Sequence, residues 1–122
     1  MFEHLRAKIT DPSRLSSTPA EIPLQLRVTY PHIPEAYLQF LQEIGTGDIG
    51  GMRMYSGPVN PDDIYPEISA ELAPVILFGD DFQGYCYGFD TTRHFQLVEV
   101  EPSGEAHLLD ESFEKFIEDY VD

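Results

Sequence analysis

VILFGDDFQGYCYGFDT, residues 75–91, is the stretch on which the fold turns. Val75, Ile76, Leu77 and Phe78 form the longest purely apolar run in the chain and read as part of a strand. Tyr85, Tyr87 and Phe89 then recur at every second residue, the period of a strand with two distinct faces, and Cys86 falls on the face opposite. Between the two runs, Asp80 and Asp81 have the chemistry of a strand-end turn, where a carboxylate accepts backbone hydrogen bonds. Strands are therefore expected over residues 75–79 and 84–90. Going outward, residues 95–100 read as a third strand, and residues 106–109 as a fourth after a turn at Pro102, Ser103 and Gly104. The connections are too short for parallel crossovers, so the strands pair antiparallel in sequence.

Helical signals flank this sheet. Upstream, Tyr37, Phe40, Leu41 and Ile44 fall at i, i+3, i+4 and i+7, with Pro34 suited to the first turn and Gly45 to the stop. Downstream, Phe113, Phe116, Ile117, Tyr120 and Val121 make an apolar stripe, with Asp110 placed to cap it. Gly45, Gly47, Gly50 and Gly51 read as a flexible crossing into a strand at residues 52–55, and a turn follows at residues 56–58. Asn60, Pro61, Asp62 and Asp63 favour a short helix over residues 60–68. The fold class that results is α+β: an antiparallel meander sheet of about four to five strands, a helix before it and a helix after it.

Residues 11–34 carry Pro12, Pro19, Pro23, Pro31 and Pro34, which forbid one long regular helix. A broken, cap-like N-terminal region or an extended arm is expected, with a short helix opening at Thr18 and Pro19 as one option and Pro23 awkward within it. The chain of 122 residues falls in the size range of one domain, 1–122, with no internal repeat.

Composition narrows the function. Seven Tyr, eight Phe and a 42% hydrophobic fraction supply a core. No stretch approaches the roughly 20 apolar residues of a membrane-spanning helix. Cys86 is the one cysteine, and residues 1–10 lack the apolar core of an export signal, so a cytoplasmic location is expected. Twenty-two acidic against seven basic side chains give a formal charge of -15, which repels nucleic acid and anionic lipid and attracts a basic protein partner. The same charge also serves solubility. The glycine spacing fits neither a dinucleotide fingerprint nor a P-loop.

The order of these cues resembles the SUKH superfamily, the family of the yeast Smi/Knr cell-wall assembly regulators and of many bacterial toxin-immunity proteins. The resemblance covers residues 20–122. It rests on Ile33, Pro34 and Tyr37 opening a helix that leads into a Gly-rich loop, on a strand ending in Gly79 and Asp80, and on Tyr87 and Asp90 in the next strand. Ser112, Phe113 and Phe116 in an acidic final helix complete it. The family's usual N-terminal helix is interrupted here by Pro23 and Pro31. The resemblance implies a sheet with packed helices, no cofactor, no catalytic centre and a role in protein recognition, either as an immunity protein that caps a toxin, often a nuclease, or as a regulatory scaffold.

The residues themselves offer few catalytic groupings. Asp80 and Asp81 near Asp90 could hold a divalent cation through oxygen ligands, the basis of a metal-dependent hydrolase as a further alternative; the plainer reading is a turn. Tyr85, Tyr87 and Phe89 read as core, or as a binding platform if exposed. His4, His32, His94 and His107 are scattered without zinc-ligand spacing. Cys86 has no basic neighbour to activate it, and Ser56 lacks the preceding glycine of a nucleophile elbow. The expected partner contacts are Asp80, Asp81, Tyr85, Asp90, Glu99 and Glu101, meeting a basic toxin domain, with no metal and no cofactor.

Overall fold

The computed structural model describes residues 2–9 and 12–121; Met1, Thr10, Asp11 and Asp122, and the side chains of His4, Pro12 and Val121, lie outside the described residues. The strands are β1 (Leu15–Ser16), β2 (Thr46–Ile49), β3 (Met52–Val59), β4 (Val75–Asp80), β5 (Cys86–Asp90), β6 (Gln96–Val100) and β7 (Ala106–Leu108). They form a single antiparallel sheet whose spatial order is the chain order. The helices are α1 (Glu3–Lys8), α2 (Glu21–Thr29), α3 (Glu35–Glu43) and α4 (Phe113–Val121). None of these is long and apolar enough to cross a membrane.

The α+β meander flanked by helices is as expected, but the sheet has seven strands rather than about four to five. Both unexpected strands depend on the glycine-rich stretch. Gly47 pairs with Leu15 at φ 116°, where a Cβ would lie 2.3 Å from the Arg14 carbonyl oxygen, so only glycine lets β1 reach β2. Gly50 and Gly51, both at positive φ, make the two-residue turn between Ile49 and Met52. That geometry matches the right-handed twist of the strands it joins. The supposed flexible crossing is thus a strand and a tight hairpin.

Other boundaries move for equally local reasons. Residues 60–68 yield only a 3-10 turn at Pro61–Asp63, which ends at Ile64 with φ -121°; Pro66, just beyond, disfavours helical geometry at Tyr65. The cap of α4 is Ser112, whose Oγ accepts the Lys115 N–H at 3.2 Å, not Asp110. Pro23 fits inside α2 because it lies in the first turn, where its missing N–H has no intrahelical partner. Ahead of it, α1 forms where no helix was expected and buries Phe2 and Leu5.

The two faces of the sheet are filled differently. On one, Tyr37 and Phe40 of α3 and Phe113, Phe116 and Ile117 of α4 pack on Met52, Met54, Ile76, Phe78, Tyr87 and Phe89. Ring centroids lie 5.8 Å apart for Tyr37 and Phe78, 5.3 Å for Phe78 and Phe113, and 4.8 Å for Tyr87 and Phe116, within the range of favourable aromatic pairs. The other face carries Val75, Leu77, Cys86, Val98 and Val100 beneath Tyr65 and Leu72 of the irregular segment 60–74. We call these the helix face and the second face.

Candidate functional site

A β-bulge builds the most distinctive group on the second face. Leu77 pairs with Gly88 and Gly79 with Tyr87, so Phe78 is an extra residue in β4. By simple alternation Asp80 would turn toward the helices. After the bulge it pairs with Cys86 and shares the second face with Arg53 and Tyr55 of β3. Its Oδ2 accepts from the Arg53 guanidinium at 2.7 Å and from the Tyr55 hydroxyl at 2.7 Å; its Oδ1 accepts the Phe82 N–H at 2.9 Å. Burial alone would raise the Asp80 carboxyl pKa. The bonds from Tyr55, Arg53 and the Phe82 N–H outweigh it, and the carboxyl is held below its ordinary value. Burial and the Asp80 bond push the Tyr55 phenol up. Burial likewise raises the Cys86 thiol, which lies 3.9 Å from the Tyr55 oxygen and is therefore a weak nucleophile at neutral pH.

Asp81 ties the β4–β5 hairpin. Its Oδ1 accepts the Gln83 N–H at 2.8 Å and the Tyr85 N–H at 3.1 Å. With its N–H held by Asp80 and the following N–H held by Asp81, Phe82 adopts φ 64°, a conformation costly for a side-chain-bearing residue, and stays 53% exposed. The Arg53 guanidinium lies 5.4 Å from its ring centroid. Arg53, Tyr55, Ile64, Asp80, Phe82, Gly84 and Cys86 enclose a hollow of about 280 Å³.

The remaining expected residues divide by position. Tyr85 is half-buried at the foot of the same hairpin; Tyr87 and Phe89 are core. Glu99 lies opposite Tyr87 on β6. Glu101 follows β6 and meets His107 Nε2 at 2.5 Å, with Glu105 alongside; hydrogen bonding to Glu101 raises the imidazole pKa, and the same bond lowers the Glu101 carboxyl. The ligand atoms of Glu101, Glu105 and His107 all lie within 4.8 Å of one another, close enough to hold a cation in principle, although a protonated imidazole opposes it. Gly84 approaches Pro102, so the two hairpin tips share one end of the sheet.

Asp90 stands apart. Asp80 pairs with Cys86 and Asp90 with Val75, so their backbone positions are about 13 Å apart along β5. Asp90 accepts from the Thr92 N–H and hydroxyl at 2.9 and 2.7 Å and faces Arg93 at 3.6 Å. The grouping of Asp80, Asp81 and Asp90 about one ion does not form.

Sequence reading missed Arg53, Tyr55, Phe82 and the partnership of His107. The His107 cluster was open to discovery, since the turn at residues 102–104 folds Glu101 toward Glu105 and His107. Arg53 and Tyr55 depend on a bulge that leaves no mark in the sequence. No protein-family model, curated protein or solved structure matches the chain.

Proposed function

We propose that the chain is a non-catalytic protein-binding module of the SUKH kind, acting as an immunity-type protein that docks on a basic toxin domain, a nuclease in its simplest form, and neutralises it. The observation that carries this reading is Phe82: an exposed aromatic side chain in a strained backbone conformation, with its own N–H held by Asp80 and the next N–H, that of Gln83, held by Asp81. Strain of this kind persists where the surroundings over-determine it, and exposed aromatic anchors are typical of binding hot spots. The formal charge of -15, with Asp81, Glu99 and Glu101 near the same end, supports a cationic partner. An acidic surface speeds encounter with such a partner and masks the Lys/Arg face a nuclease turns toward nucleic acid. On this reading Asp80 positions the contact, and Phe82, Tyr85, Glu99 and Glu101 make it.

The test is capture from the native host's lysate by tagged chain at low and high salt, in parallel with Phe82→Gly. A basic protein retained by the native chain, released by salt and lost with Phe82→Gly is the expected result. Retention indifferent to both changes would sink the proposal. Recovery of envelope-biosynthesis proteins instead would favour the regulatory-scaffold alternative.

A further inference from the structure

The free flank of the sheet beside β7 has features that the hairpin reading does not use. Two adjoining hollows of about 610 and 540 Å³ share Glu71 and Ala106 and run between β7 and the segment 66–74. Val75 and Val98 belong to the floor, while Ile68 and Leu108 remain 38% and 44% exposed. Glu67, Glu71 and Glu105 line the groove, against Arg93 at one end and His107.

The hydrogen-bond phase of β7 shows what kind of chain the flank accepts. The Leu109 N–H donates to the Leu97 carbonyl at 2.8 Å, and the Glu101 N–H to the Glu105 carbonyl at 2.9 Å. Bonded pairs alternate along an antiparallel ladder, so Glu99 and His107 form the bonded pair between them. Ala106 and Leu108 then turn both their N–H and C=O groups away from β6. Their side chains share the second face with Val98 and Val100, beside the groove. Among the described residues no strand lies beyond β7.

We propose that β7 is a docking edge for an extended, basic segment of a partner protein, which adds as a further strand and lays alternate side chains into the groove. The inference rests on the protein-binding reading but assigns a second surface to it. Outward backbone groups at i and i+2 are satisfied by an extended chain, as in other strand-addition complexes. The apolar floor accepts an aliphatic side chain next to Leu108, and the three glutamates favour lysine or arginine over acidic neighbours.

The experiment uses the full isotope-labelled chain and a short blocked peptide of alternating lysine and valine, with an analogue N-methylated at every backbone amide. In the free protein, the Ala106 and Leu108 amide hydrogens should exchange faster than that of His107. On adding the peptide they should become protected, with chemical-shift changes centred on residues 106–108 and Glu71. N-methylation should weaken binding about tenfold or more, since it removes backbone bonds and keeps the charge. Equal binding of the N-methylated peptide would overturn the proposal, leaving a charge contact only. A chain already dimeric through β7, with the peptide unable to compete, would overturn it in favour of a second copy. Shifts centred on Phe82 and Tyr85, or no shift anywhere, would also overturn it; the lysate capture judges the hairpin reading separately.

Discussion

The helix face and the second face lie on opposite sides of the same strands, yet they are built on different principles. The helix face is a dry aromatic core in which Phe78 touches the rings of Tyr37, Phe89, Phe113 and Phe116. The second face is half-covered by an irregular segment and carries a carboxylate network with open hollows on either side. One side is closed by two helices, and the other, on the proposed reading, is the side that recognises a partner. Folding stability should therefore respond most to changes on the helix face, and partner binding to changes at the hairpin tip and around β7.

The largest expected effect lies in the core. Phe78→Ala should cost about 3–5 kcal/mol, read from the denaturant midpoint, because a fully buried ring leaves a cavity its rigid neighbours cannot fill. A cost below about 1 kcal/mol would break the contrast between the faces.

Asp80→Ala should cost about 2 kcal/mol, since the Tyr55 hydroxyl and the Phe82 N–H lose a buried acceptor while half-exposed Arg53 rehydrates. The pH dependence follows from the lowered carboxyl pKa. The contribution is complete above the unfolded carboxyl value of about 3.9 and is lost as pH falls through the lower folded value, so native and variant should converge in strong acid. Divergence on acidification would mean that the network is misread.

Phe82→Gly sharpens the division of labour. Relief of the left-handed strain offsets the lost Arg53 contact and the greater chain entropy, so thermal unfolding should show stability within about 1 kcal/mol of the native chain. Partner capture should nevertheless fail. Smallest of all is the His107 effect. In a proton-NMR titration its imidazole should titrate at higher pH in the native chain than in Glu101→Gln, with Glu99 and Glu105 adding to the same shift. Its pairing holds below the ordinary imidazole value of about 6.5 and fades as pH rises through the raised folded value.

What the sequence disclosed divides along the same line. The helix face was legible because periodicity records it directly: Tyr37, Phe40 and Leu41 repeat with the turn of a helix, Tyr87 and Phe89 with the pleat of a strand, and all five are buried. Ile44, in the same expected stripe, is only half-buried. The Gly50–Gly51 hairpin was legible in principle, since two adjacent glycines followed by a strand are a hairpin signal. The second face was not. Asp80 reaches Arg53 and Tyr55 only through the bulge at Phe78, and Phe82 takes a backbone conformation its residue type disfavours. Asp90, close to Asp80 in sequence, is carried to the far end by the length of β5.

Because the order of strands in space repeats the order in the chain, the timing of folding during synthesis follows. Beyond β4 each strand can join its predecessor as it leaves the ribosome, with only a short turn to close, whereas β1 waits for β2 across α2 and α3. The aromatic side of that growing sheet, however, waits for Phe113 and Phe116, which arrive only with α4. A nascent sheet would carry wet phenyl rings until its last helix emerges, and that interval is when the chain has most need of a chaperone.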